Sequence, residues 1–149
     1  MHTFTIQPLV GIGPIKFGMS RNEVQAILAE FGQTQTVLRP PNTDCYFQNA
    51  FQVSYDEAGE VEFIEFASSS DVRILFHEAS LHELTAEDAV RFVSQFADYD
   101  KNHRDQGFTY IFPACQLSLW RSVLPADADD EDGRHFEAVG IGKPGYFSS

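Results

Sequence analysis

The chain has 149 residues, 43% hydrophobic and 13% aromatic, with fourteen phenylalanines. That is enough apolar material to bury a core as one domain, and it argues against disorder. Twenty-two acidic against ten basic side chains give a formal charge of −12, which speaks against nucleic acid and favours a basic protein as partner.

Residues 3–9 alternate weakly and read as an edge strand. The stretch 9–32, LVGIGPIKFGMSRNEVQAILAEFG, organises the chain: a Gly/Pro-rich bend or short hairpin feeds an amphipathic helix. Ser20 with Glu23 three residues on forms a capping box, and Met19 with Val24 the hydrophobic staple. Val24, Ile27, Leu28 and Phe31 share one face, and Gly32 closes the helix. The glycines have neither P-loop nor GxGxxG spacing, so the bend is read as structural and not as a phosphate cradle.

Residues 34–38 form a short β-prone run ended by Pro40, Pro41 and Asn42. Strands are expected at 45–48 and 51–55, with a turn at 56–59 and a return strand at 61–67. The serine-rich 68–71 is the best linker. A strand at 72–76 follows, then a second helix capped by Thr85, with Asp88 at the capping-box distance and Ala89, Val90, Val93 and Phe96 as its stripe. Strands are expected at 108–112, 116–123 and 136–141, with an acidic loop over 125–133, and the chain closes on a turn at 142–145 and the aromatic pair Tyr146-Phe147.

The order of elements recurs. The Ser20 and Thr85 caps correspond, as do FQVSY with QLSLW and VEFIEFA with FEAVGIG. The expected fold is α+β: one domain of two tandem helix-plus-antiparallel-sheet repeats, about 1–71 and 72–149, forming one continuous sheet with the helices on one face.

Gly13, Ile15, Gly18, Met19, Ser20, Glu23 and Val24 stand in a pattern that resembles the opening of small bacterial helix–sheet modules such as the SmpA/OmlA lipoprotein domain and the β-lactamase inhibitory protein repeats. The second half, with its SLWR strand and terminal Gly-Tyr-Phe, looks like uncharacterised two-repeat bacterial proteins, among them immunity-type members. The chain lacks the lipobox of the lipoproteins and the paired-disulfide pattern of the secreted inhibitor.

No catalytic set is expected. His77-Glu78 and His82-Glu83 are five apart, not the i, i+4 of HExxH. Asp98, Asp100, Asn102 and Asp105 fail as a calcium loop because His103 stands where glycine is required, and the 127–132 run fails the same test. No nucleophile elbow is present, and Glu62 and Glu65, three apart in a strand, are expected on opposite faces. Cys45 and Cys115 read as reduced, buried core residues. The opening residues carry no signal-peptide pattern and no run approaches a membrane span, so a cytoplasmic protein without membrane association is expected.

Strand parity points to binding. Phe51, Val53 and Tyr55, Leu117 and Leu119, and Val139 and Ile141 form the helix-covered core face. The alternate positions leave an open, mostly polar face around a single tryptophan, which either anchors a partner or plugs the junction between repeats. The candidate partner-binding residues are therefore Gln52, Ser54, Gln116, Ser118 and Trp120, with Asp127, Asp129, Asp130, Glu131 and Asp132 of the acidic loop. The expected function is a non-catalytic, immunity-type inhibitor of a basic toxin or hydrolase, needing no cofactor or metal, as a monomer or weak homodimer. A small-ligand or metal-binding module and a structural homo-oligomer are the alternatives.

Overall fold

The computed structural model describes residues 1–34, 37–39 and 41–147. Two sheets and two short helices enclose one core. The small sheet is built from β1 (His2–Gln7), β2 (Gly11–Ile12), β3 (Ile15–Lys16) and β8 (Val72–Phe76), in the order β3-β2-β1-β8. The large sheet contains β4 (Val37–Arg39), β5 (Thr43–Tyr46), β6 (Phe51–Tyr55), β7 (Val61–Ala67), β9 (Thr109–Phe112), β10 (Leu117–Trp120) and β11 (Ala138–Gly142), in the order β4-β5-β6-β7-β11-β10-β9. The helices are α1 (Arg21–Ala29) and α2 (Ala86–Val93).

This corrects the expected fold class. The chain is β-rich, with two sheets instead of one continuous sheet carrying helix-plus-sheet repeats. The pairing that decides the matter is β1 with β8, which lie parallel from His2 against Val72 to Ile6 against Phe76. A strand from the first half is thereby sealed to one from the second, in a sheet that the large one does not join.

The glycine-rich opening folds as the β2–β3 hairpin, pinned to β1 by Gly13 N–H donating to the Thr5 carbonyl at 3.1 Å. At Gly11 the chain has a φ of +152°, and a Cβ would lie 2.1 Å from the Ile15 carbonyl oxygen, so no other residue fits there. Gly18 N–H donates to the Val61 carbonyl at 3.0 Å and Val61 N–H to the Met19 carbonyl at 2.9 Å, which sews the approach to α1 onto the start of β7.

The capping box of α1 forms as read: Ser20 Oγ accepts from Glu23 N–H, and the Glu23 carboxylate accepts from Ser20 N–H. Val24 and Leu28 are fully buried, whereas Ile27 and Phe31 are half-buried at the rim of the core. Helix α2 buries Ala86, Ala89 and Val93, but it ends before Phe96, which is 50% exposed and stacks on His77 with ring centroids 3.9 Å apart.

The inner face of the large sheet follows the predicted parity. Phe51, Val53, Tyr55, Ile64, Phe66, Leu117, Leu119, Val139 and Ile141 are buried and pack with Phe4, Ile6, Ile74 and Phe76 of the small sheet. Phe4 meets Phe51 edge-on at 6.1 Å, and Phe51 meets Phe66 at 5.2 Å. Several strands are shorter than their apolar runs. The strand predicted at 45–48 stops at Tyr46, because Phe47, Gln48 and Asn49 all take left-handed conformations. The run at 116–123 is a strand only from Leu117 to Trp120. The run at 34–38 falls partly outside the described residues. No helix among the described residues is long and apolar enough to cross a membrane.

Candidate functional site

The outer face of the large sheet is where the sequence-predicted residues gather. Across the ladders, Gln52 pairs with Glu65, Glu65 with Gly140 and Gly140 with Ser118, which makes one row running from β6 to β10. With strands about 4.8 Å apart, Gln52 and Ser118 stand roughly 14 Å from each other. Ser54 lies in the next row, its hydroxyl 2.9 Å from that of Thr43. Trp120 pairs with Ala138 and Thr109 at the far end of β10 and is 44% exposed, so it is not a plug in the core.

Gln116 departs from the expected open position. It is buried, has a φ of +51°, and is engaged by the C-terminal segment. Its Oε1 accepts from Phe147 N–H at 2.6 Å, and its Nε2 donates to the carbonyls of Phe147 at 3.1 Å and Pro113 at 2.8 Å. Tyr146 lies flat on Phe63, with centroids 4.7 Å apart and planes 11° from parallel, while Phe147 meets Phe63 edge-on. Gly140 and Gly142 make room for this arrangement. A Cβ at Gly140 would lie 2.6 Å from both the Phe63 ring and Ser118 Oγ, and one at Gly142 would lie 2.6 Å from Tyr146. The middle of the predicted docking face is thus covered by the chain's own tail.

Glu62 and Glu65 are also corrected. Ser54 pairs with Phe63 and Tyr55 with Val61, so Glu62 is an extra residue in a bulge and the simple alternation of faces fails there. Both carboxylates act on Tyr146, whose hydroxyl is pushed above its ordinary value first by burial and then by these two charges.

The acidic loop divides by role. Asp127 Oδ1 accepts from Asp129 N–H at 3.0 Å, and Asp130 accepts from Ala126 N–H at 2.8 Å and Asp132 N–H at 3.0 Å. The bonds to Ala126 and Asp132 hold the Asp130 carboxyl below its usual range. Glu131 pairs with Arg134 at 2.7 Å. These three side chains shape the loop, whereas among the described residues the carboxylates of Asp129 and Asp132 accept no hydrogen bond. Next to the loop, the chain exposes Phe108, Trp120, Val123 and Leu124, by 38%, 44%, 44% and 45%. Leu124 reaches over Gly107, and the Phe108 carbonyl accepts from Arg121 N–H, which brings the four to one end of the β9–β10 hairpin.

Arg121 explains how that end is held, and sequence reading gave no hint of it. It is only 9% exposed, donates from Nε to the Gly107 carbonyl at 2.8 Å and from one terminal nitrogen to the Gly133 carbonyl at 2.7 Å, and lies over the Phe136 ring. It staples the entry to β9 to the end of the acidic loop and makes no ion pair among the described residues. An open cleft of about 510 Å³ beside it is lined by Thr85, Glu87, Asp127, Asp130 and Arg134 as well.

A second buried charge, also missed, lies under α1. Asp44 is fully buried and accepts from Arg21 Nε at 2.9 Å, and the Arg21 guanidinium covers the Tyr55 ring at 4.8 Å. Burial, and then neighbouring Tyr46 and Asp44, push the Tyr55 hydroxyl far above its ordinary range. Alternation along β5 between buried and exposed positions is too weak to mark Asp44 as inward-facing, because Asp44, Cys45 and Tyr46 are all buried. The group clamps the first turn of α1 to the sheet.

His82 is buried with Nε2 3.0 Å from the Phe66 carbonyl, while His77 stacks on Phe96, so the two histidines occupy separate surroundings. Among the described residues no three His, Cys, Asp or Glu side chains converge to hold a metal. Cys45 and Cys115 are buried thiols without a disulfide, and burial raises the Cys115 thiol pKa. Comparison with family models, curated proteins and solved structures returns no match to this chain.

Proposed function

We propose that this chain is a non-catalytic binding protein, an immunity-type inhibitor that neutralises a basic toxin or hydrolase in the cytoplasm. The observation that carries the reading is the pairing of four exposed apolar side chains, Phe108, Trp120, Val123 and Leu124, with a loop in which, among the described residues, the Asp129 and Asp132 carboxylates accept no hydrogen bond. Apolar anchors beside a charged rim are what a protein interface requires: the anchors supply affinity, and the charge supplies steering and selection. The formal charge of −12 fits a basic partner at long range.

Compared with the sequence-based list, the surface contracts. Trp120, Asp129 and Asp132 carry the contact; Asp127, Asp130 and Glu131 support the loop; Gln116 belongs to a different neighbourhood. Affinity capture of the product of the adjacent gene tests this. Wild type is expected to retain a basic protein that is lost, or weakened about a hundredfold, by Trp120→Ala with Leu124→Ala, and weakened about tenfold at low salt by Asp129→Asn with Asp132→Asn. Equal retention by all three chains, or no basic partner at all, overturns the reading.

A further inference from the structure

Strand β8 ends the small sheet on one side, with β1 as its neighbour. His2 N–H donates to the Asp71 carbonyl at 3.0 Å, and the parallel register sets His2 against Val72. Alternate residues of a strand turn their main-chain groups to opposite edges, so Asp71, Arg73 and Leu75 face β1 while Val72, Ile74 and Phe76 face away from it. Phe76 is served by the chain itself, exchanging hydrogen bonds with Ala79 at 2.8 and 3.1 Å. The chain departs after that single bridge, and among the described residues no strand pairs with Val72 and Ile74 on this side.

A cleft of about 510 Å³ runs along the same edge. It touches Val72, Arg73 and Ile74 in succession, and because successive side chains point to opposite faces, a surface shared by all three lies beside the strand. Ser80, His82 and Glu83 line it as well. His82 is only 9% exposed, and its Nε2 is bonded to the Phe66 carbonyl. A carbonyl can only accept, so Nε2 carries the proton and Nδ1 of the neutral ring is a bare acceptor. Nδ1 has no hydrogen-bond partner among the described residues and is not one of their fully buried atoms, so it opens onto the cleft. Arg73 uses Nε alone on Glu83, at 2.8 Å, and its two terminal nitrogens make no hydrogen bond among the described residues.

We propose that this edge is a peptide-binding site that adds an extended, antiparallel segment of a partner protein to the four-stranded sheet, with a hydroxyl side chain facing His82 and an acidic one opposite Arg73. Val72 and Ile74 supply the main-chain donors and acceptors, as an open strand edge does for an added strand. Residues paired with these two carry their side chains on the inner face, where Nδ1 of His82 takes a donor that serine or threonine brings and an apolar residue lacks. The residue between them lies on the outer face opposite Arg73, whose terminal nitrogens fit a carboxylate. A second copy of this chain is a poorer occupant. Pairing Val72 with Ile74 of that copy about a two-fold axis sets Arg73 opposite Arg73, and like charges so placed repel. The segment defined here is acidic and touches neither Trp120 nor the acidic loop, so this site and the proposed function can fail separately.

Titration of the isotope-labelled full chain with acetyl-Val-Thr-Glu-Thr-Val-amide, followed by NMR, tests this. Saturable binding at roughly millimolar peptide is expected, with the shifts centred on Val72 and Ile74. The N–H groups of these two should exchange quickly in the free chain, beside protected Arg73 and Leu75, and gain protection when peptide is added, a readout that depends on no variant. N-methylation of both threonines should weaken binding at least about tenfold while N-methylation of the glutamate is tolerated, because only the threonine amides face β8. Valine in place of both threonines should cost about fivefold, and glutamine in place of glutamate about fivefold at low salt. Arg73→Gln should remove the preference for glutamate. Absence of saturable binding, equal effects of the two N-methylations, or indifference to the threonine and glutamate side chains each overturns the proposal. Protection of Val72 and Ile74 that rises with protein concentration in the absence of peptide also overturns it, by assigning the edge to a second copy.

Discussion

His82 shows how one side chain ties the pH response to the fold. Its ring is buried where the 80–83 turn packs on β7, with Nε2 bonded to the Phe66 carbonyl. Burial pulls its pKa below the ordinary value of 6.5, against smaller upward pulls from the Phe66 bond and the Glu83 charge. The unfolded chain therefore takes up a proton more readily than the folded one as pH falls. The stability associated with neutral His82 is fully present above about pH 6.5 and drains away as pH drops from there through the lowered folded value. His82→Gln keeps a donor for Phe66 and removes the titration. Urea melts across pH 5–8 are expected to show a shallower acid limb for the variant than for wild type, and parallel limbs would contradict this account of the histidine.

Among elements, the two helix starts differ in quality, and the difference is measurable. Ser20 and Glu23 exchange two hydrogen bonds, whereas Thr85 makes only a 3.3 Å contact with Asp88 N–H and receives none in return. Ser20→Ala is expected to cost about 1 kcal/mol and Thr85→Ala roughly half of that, read as shifts of the denaturation midpoint at unchanged m-value. An equal or reversed order would mean that the Ser20 bridge to Glu60, and not the cap, sets the cost. Such caps are legible in sequence because the partners lie three residues apart. The β6–β7 hairpin was legible for the same reason, with Asp56 Oδ1 accepting from Ala58 and Glu60 N–H to shape its turn. What escaped sequence reading is non-local or irregular. The bulge at Glu62 undoes strict alternation. The left-handed residues 47–49 end a strand in a run that has no glycine. Gln116 looked like a surface strand residue because its partner, Phe147, is thirty-one positions away. For the candidate site, Trp120 and the acidic loop were visible as composition, while Arg121, which holds the two near each other, was not.

At the scale of the whole molecule, two seams decide whether the halves are separable. The β1–β8 pairing joins His2–Gln7 to Val72–Phe76, and the β7–β11 pairing joins Val61–Ala67 to Ala138–Gly142. Cutting the chain between residues 71 and 72 opens both seams at once. It strips β8 from Phe4 and Ile6, and it leaves Ile64 and Phe66 without Val139 and Ile141. Each fragment would then carry an unpaired edge beside an apolar face, in a chain of half the length with a correspondingly poorer ratio of buried to exposed surface. Neither 1–71 nor 72–149 is expected to fold alone: each should give narrow amide proton dispersion and no cooperative thermal transition. An equimolar mixture should recover some of the native spectrum, since both seams consist of strand pairing and apolar contact that need no covalent link. A 1–71 fragment that melts cooperatively by itself would show that its half is an autonomous unit and that the parallel β1–β8 pairing is an accessory to the fold, not the closure on which its single core depends.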